Sequence, residues 1–130
     1  MSHDSIAEML TSIRNANLVK NKTVLFNYTI VNEKIIRILQ KQGFINSFIL
    51  INENNRKKLK VNLKYKNKTP LISNLMRISK PGRRIFVNKK QIPTLLGGLG
   101  LFILSTDKGI ISDRDAKFHK IGGELLCSIY

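Results

Sequence analysis

Leu101-Phe102-Ile103-Leu104-Ser105-Thr106-Asp107-Lys108-Gly109-Ile110-Ile111 decides how this chain is read. Its apolar opening is short enough for a strand and too evenly apolar for an amphipathic helix, which predicts a strand buried on both faces. Asp107-Lys108-Gly109 tolerates positive φ and Ile110-Ile111 returns, so the stretch predicts a tight hairpin carrying Ser105 and Thr106 at its tip. Ser112-Asp113 then starts a short helix with Asp113 as the expected cap, and Gly122-Gly123-Glu124 ends it before a last strand through Leu125, Cys127 and Ile129. Both polar loops are expected on one rim. Hydroxyls at Ser105 and Thr106, N–H groups freed by Gly109, Gly122 and Gly123, and the acceptor-only carboxylate of Glu124 equip that rim to hydrogen-bond a polar partner.

Charge indicates which partner. Lys and Arg number 23 against 8 Asp and Glu, a formal charge of +15. It is spread evenly, +8 over residues 1–66 and +7 over 67–130, so this is no basic tail. A domain with that self-repulsion sits best beside a polyanion, and nucleic acid is the leading candidate over a merely solvated basic surface. At 42% hydrophobic residues the chain has the composition of a folded protein. One cysteine, Cys127, with His3 and His119 makes neither a disulfide framework nor a standard zinc site; Cys127 alternates with Leu125 and Ile129 as a core side chain does. No cofactor or metal is expected. Neither a bilayer-spanning apolar run nor a signal or transit sequence is legible, so the protein is expected to work where it is made, away from membranes.

In chain order, Ile6, Met9, Leu10 and Ile13 fall at helical spacing behind a Ser5/Glu8 capping box. Thr23–Tyr28 is β-rich, Asn32 is the expected cap of a second helix through Ile35, Ile36 and Leu39, and Gly43 stops it. Phe44–Ile51 reads as a strand. After the turn Asn52-Glu53-Asn54-Asn55, Leu59, Val61, Leu63 and Tyr65 alternate with polar and cationic residues in another. The polar joint at Lys66-Asn67-Lys68-Thr69-Pro70 suggests a boundary, giving an N-terminal α-β-α-β-β module over 1–66 and a mostly β C-terminal module with short helices over 67–130. The fold class is α+β, two small α/β modules. In the second module Leu71–Ser79 is a strand candidate, Lys80-Pro81-Gly82-Arg83 fits a type II turn, Arg84-Ile85-Phe86-Val87 returns from it, and a short helix holds Ile92, Leu95 and Leu96 before Gly97-Gly98-Leu99-Gly100 breaks it.

Catalysis finds no support. Asp107, Asp113, Asp115, His119 and Glu124 are near in sequence, but each has a duller role: Asp113 and Asp115 meet a helix N-terminus, His119 a helix C-terminus, and Asp107 a turn. A hydrolase using His119 and Glu124 would need a partner to orient the base, and none is positioned. The glycines at 97–100 match neither a phosphate loop nor a dinucleotide fingerprint, because helix precedes them and strand follows. RNA is preferred over DNA, since no helix pairs a basic face with base-reading side chains, whereas a rigid polar rim suits 2′-OH groups and splayed bases. Glu124 matters most in that reading: a carboxylate facing a polyanion is costly unless it accepts from a base, or unless it is only a solvated strand end.

These residues resemble a known family. Leu104 to Arg114, Leu-Ser-Thr-Asp-Lys-Gly-Ile-Ile-Ser-Asp-Arg, with Ile-Gly-Gly-Glu-Leu-Leu-Cys at Ile121 to Cys127, closely resembles the C-terminal signature of ribosomal protein eight of the bacterial-type small subunit. Asp4 to Ala16, Gln42-Gly43-Phe44-Ile45, Leu63-Lys64-Tyr65 and Arg77-Ile78-Ser79-Lys80-Pro81-Gly82 resemble it in order, so the likeness runs the whole chain. The Ile/Lys/Asn bias is most similar to plastid-encoded members. The resemblance implies a non-enzymatic primary rRNA binder of the small ribosomal subunit, in the plastid or otherwise the bacterial cytoplasm. It would grip an irregular helix in the central domain of small-subunit rRNA, support assembly and translation, and touch neighbouring ribosomal proteins but no small-molecule substrate. Its RNA contacts would fall on Ser105, Thr106, Lys108, Gly122, Gly123 and Glu124, with Arg83, Arg84 and Phe86 on the adjoining turn and Arg14 and Lys57 as backbone contacts in the N-terminal module. Asp107 stands where the family usually has an uncharged polar residue, and Phe86 replaces the usual tyrosine, keeping a stacking face without the hydroxyl. The other reading is a stand-alone RNA chaperone or generic nucleic-acid binder.

Overall fold

A computed structural model describes residues 4–130. The fold is α+β, and the chain divides into two compact units, Ser5–Ser73 and Asn74–Tyr130, the latter joined by Asp4.

In the first unit, α1 (Ser5–Leu18) and α2 (Ile30–Lys41) lie against an antiparallel sheet of β1 (Thr23–Asn27), β2 (Ile45–Glu53) and β3 (Arg56–Leu63) in the order β1-β3-β2. The period of α1 buries Ile6, Met9, Leu10 and Ile13; that of α2 buries Ile35, Ile36 and Leu39; the pleat of β3 buries Leu59, Val61 and Leu63. Each such side chain contributes about 1.5–3 kcal/mol relative to exposure. The cap of α2 is Thr29, not Asn32: Thr29 is extended (φ −138°, ψ 158°) and its hydroxyl accepts from Asn32 N at 3.0 Å. Asn32 instead lies buried inside the helix, where Nδ2 donates to Ser5 O at 3.3 Å and ties the start of α1 to α2. The far end closes with Gly43 at φ +83°, Gly43 N bonding Gln40 O and Phe44 N bonding Leu39 O. That is the αL stop for which glycine is suited. Asn54 and Asn55, both at positive φ, make the two-residue turn between β2 and β3.

The divide falls after Ser73, beyond the polar joint. β4 (Tyr65–Lys66) and β5 (Thr69–Pro70) fold that joint into a small hairpin, Leu71 N bonds Lys64 O at 2.9 Å, and Asn17 Nδ2 donates to Ile72 O at 3.2 Å. Residues 67–73 therefore belong with the first unit.

The second unit is built on β10 (Gly123–Ile129), which pairs with β6 (Leu75–Arg77) and β7 (Phe86–Val87) along one edge and with β8 (Leu101–Thr106) along the other; β9 (Gly109–Ser112) continues the sheet from β8. A bulge between Leu125 and Cys127 interrupts the alternation, and Leu125 to Ile129 are all buried. Five sequence expectations need correction here. The strand proposed over 71–79 is only Leu75–Arg77. Gly82 is not at positive φ, so the turn is not type II; it is a tight loop in which Lys80 and Arg83 exchange both backbone hydrogen bonds at 2.9 Å. No helix holds Ile92, because Pro93 removes an N–H and disfavours helical φ/ψ before it; one 3-10 turn, Leu96–Gly98, remains. Finally, α3 (Asp113–His119) is capped by Ser112, whose Oγ accepts from Asp115 N at 3.2 Å, while Asp113 is buried in its first turn. Lys120, at φ 56°, supplies the αL stop that the sequence assigned to the glycines after it.

Cys127 is fully buried, and burial pushes its thiol up to about 12. A thiol reagent at neutral pH is therefore expected to modify it only as fast as the unit opens. Rapid labelling of the folded protein would show that β10 is not the buried centre described here.

Candidate nucleic-acid interface

At one end of the second unit four strands come side by side. Phe86 of β7 is opposite Glu124 of β10, Glu124 is opposite Ser105 of β8, and Ser105 is opposite Ile110 of β9. Antiparallel register thus places Phe86, Glu124 and Ser105 in one row. The hairpin beyond Ser105 is locked by Thr106, whose Oγ1 donates to Gly109 O at 2.8 Å and accepts from Lys108 N at 3.2 Å, with Gly109 at φ +99°. Lys108 is exposed at the tip.

Gly122 and Gly123 are needed here for a different reason from the one the sequence suggests. A Cβ on Gly122 would lie 2.3 Å from Val87 O, and one on Gly123 would lie 2.2 Å from Ser105 O and 2.9 Å from Thr106 Cγ2. Two neighbouring backbones approach β10 more closely than any side chain would allow. The glycines set the spacing of the row rather than the end of a helix.

Glu124 is not the lone acceptor that its position in a basic sequence suggests. Arg84 donates Nε to Oε2 at 3.0 Å and Nη2 to Oε1 at 2.9 Å, and its guanidinium stands 5.2 Å from the centre of the Phe86 ring. The Arg84 guanidinium first, with Arg77 and the Ser79 hydroxyl adding, holds the Glu124 carboxyl below the usual range against the opposing effect of burial. The residue that positions Arg84 was missed in the sequence: Ser79, fully buried, accepts from Ile85 N at 2.9 Å and donates to Ile85 O at 3.3 Å. This clamp fixes the backbone between Arg84 and Phe86. Nothing in Arg77-Ile78-Ser79-Lys80 marks that serine out in the sequence, because its partner Ile85 lies beyond the turn.

The structure thus brings together Ser105, Thr106, Lys108, Gly122, Gly123, Glu124, Arg84 and Phe86, with exposed Arg83 on the adjoining Lys80–Arg83 loop. Arg14 and Lys57 belong to the first unit, Arg14 on the exposed side of α1 and Lys57 on β3 with Nζ 5.8 Å from the Tyr28 ring centre. The acidic residues considered for catalysis do not converge: Asp113 is buried with its carboxyl pushed up by desolvation, Asp107 is an exposed turn residue, and exposed His119 meets the edge of the Phe118 ring. His3 lies outside the described residues, among which no group of three His, Cys, Asp or Glu is placed to hold a metal.

A strongly basic α+β chain with a preformed hydrogen-bonding edge has the make-up of a binding protein. Comparison with known proteins gives the particular family. The family model described as ribosomal protein S8 matches residues 4–130. Among relatives, the chain is 52% identical to small ribosomal subunit protein uS8c of Marchantia polymorpha, over the whole of both chains. It is 49% identical to uS8c of Gracilaria tenuistipitata var. liui, again over both whole chains, and 50% identical to uS8 of Dictyoglomus turgidum over 98% of this chain and 97% of that one. The chain belongs to the ribosomal protein S8 family, a structural and non-enzymatic class with plastid-type and bacterial members.

Proposed function

We propose that this protein is a structural constituent of the small ribosomal subunit, of plastid or bacterial type, that binds small-subunit rRNA directly. It grips an irregular helix of the central domain, so supporting subunit assembly and translation among neighbouring ribosomal proteins. The observation that carries the reading is the row on the second unit: a polar edge drawn tight by Gly122 and Gly123 within a chain of net charge +15. Charge from both units attracts the polyanion, and the edge selects among RNAs. Ser105, Thr106, Lys108, Gly122, Gly123, Glu124, Arg83, Arg84 and Phe86 together make up the selective edge; Arg14 and Lys57 meet the backbone.

Binding of the purified chain to small-subunit rRNA fragments, with no other protein present, tests this. Thr106→Ala removes the hydroxyl that ties the hairpin tip and is expected to weaken cognate binding by about 1–3 kcal/mol with little change in salt dependence. Lys57→Ala is expected to lower affinity for all RNAs alike and to reduce the salt slope by about one. Equal affinity of the wild type for unrelated RNAs would replace this reading with a generic binder, and a fragment-selective loss in Lys57→Ala would reverse the two roles.

A further inference from the structure

We infer that Glu124 acts on RNA through Arg84: the carboxylate is a positioning residue, and the guanidinium it holds, backed by the Phe86 ring, is what this edge presents to an anionic oxygen of the RNA backbone. The inference rests on the function proposed above and reverses the role that sequence alone suggests for Glu124.

Three observations carry it. Both carboxylate oxygens are already taken, at 3.0 and 2.9 Å, by Nε and Nη2 of the same guanidinium. Exposure is lopsided: the Arg84 side chain is 59% exposed and the Glu124 side chain 12%, so an approaching molecule meets the guanidinium first. Of five N–H groups in a guanidinium, two face the carboxylate, and the others take no acceptor among the described residues. A planar fork fixed along one side by a carboxylate and over one face by an aromatic ring is preorganised for bidentate contact with phosphate. The carboxylate also loses its repulsion toward a polyanion while paired. If Arg84 is removed, the next cation near Glu124 is Arg77, which Asp4 already engages at 3.0 Å. Glu124 then faces the RNA as a partly buried, uncompensated charge.

The full-length chain and its Arg84→Met, Arg84→Lys and Glu124→Gln variants, with the Arg84→Met/Glu124→Gln double variant, separate the possibilities on an rRNA fragment carrying the central-domain helix. Arg84→Met is expected to weaken binding about tenfold or more and to lower the salt slope by about one. Arg84→Lys keeps the slope and loses affinity, because the charge survives and the fork does not. The decisive comparison is Glu124→Gln in two backgrounds. With Arg84 present it weakens binding; with Met at 84 it restores binding severalfold, since it removes a bare carboxylate.

A purely structural role would not give that reversal of sign, nor the matching pH behaviour. As pH falls through the carboxylate range, the affinity of Arg84→Met is expected to rise because the freed carboxyl protonates, while the wild type, whose Glu124 carboxyl Arg84 holds low, and the double variant change little. The groups setting this titration are Glu124 itself, Arg77 with its partner Asp4, and the Ser79 hydroxyl. Thermal melts report folding; where Arg84→Met unfolds, Glu124→Gln in the Arg84→Lys background replaces it, and a loss much smaller than in wild type is the expected result. A Glu124→Gln loss of equal size in both backgrounds would overturn the inference and make Glu124 itself the RNA contact. A wild type that shows no preference for the fragment would overturn the function proposed above instead.

Discussion

Gly123→Ala is expected to abolish selective RNA binding and to destabilise the second unit by about 2–3 kcal/mol, near the upper end of what added volume costs in a packed site. The new methyl carbon would sit 2.2 Å from Ser105 O and 2.9 Å from Thr106 Cγ2. The first obstacle is backbone and cannot rotate away as a flexible side chain would. To relieve the clash, β8 must retreat from β10 at the one place where Ser105 and Glu124 stand in register. The cost is steric rather than conformational, because Gly123 is not among the glycines at positive φ. Gly97→Ala is the control: it sits at φ +62° with open space around it, so it costs about 1 kcal/mol of backbone strain and leaves RNA selection alone. Urea unfolding and fragment binding measure both changes. A Gly123→Ala protein with wild-type stability and selectivity would mean that the strands are not drawn together there in solution.

Much of this arrangement was legible in the sequence because local rules and burial agreed. Leu101 to Leu104 and the alternation through Leu63 announced strands, and the helical spacing of Ile6, Met9, Leu10 and Ile13 announced α1, since each pattern also matches the face that packs. The two misplaced caps share a cause: residues close together could do the same job, and backbone conformation and burial chose between them. Thr29 and Asn32 are both good caps, as are Ser112 and Asp113; in each case the earlier residue has the extended backbone a cap requires, and the later one is buried within the first turn.

The candidate site followed the same logic. Composition and hairpin chemistry located the tip and the glycines, but not why the glycines are glycine, which depends on Val87 and Ser105 arriving from other strands. Nor could spacing along the chain reveal that Arg84, forty residues from Glu124, neutralises it. A carboxylate that looked exceptional in a basic sequence becomes ordinary once its guanidinium is found. What remains unusual is that the pair is half open, with the cation outward.

Leu104→Ala is expected to cost about 3–4 kcal/mol, the range for a fully enclosed leucine whose site cannot collapse. Leu104 is completely buried in a cluster with Ala116 of α3 and Leu125 of β10, ringed by Ile78, Ile85, Val87, Ile92, Phe102 and Ile111. Ala116 has no reach to fill the space, and Ser112 fixes α3 at its first turn, so a cavity persists. Leu99→Ala should fall within about 0.5 kcal/mol of wild type, because Leu99 is 81% exposed and leaves no cavity. The contrast separates support from recognition. Leu104 lies directly before Ser105 but faces the core, so its loss lowers the population of folded protein without altering the row itself. Cognate RNA at about a hundredfold above its Kd should then return about 2.7 kcal/mol of apparent stability to Leu104→Ala, as it does to the wild type. Gly123→Ala should gain almost nothing from the same RNA, because there the binding edge itself is displaced. Equal rescue of the two variants would mean that the edge beside β10 does not contact the RNA, and a loss below about 1 kcal/mol in Leu104→Ala would mean that α3 repacks over the hole.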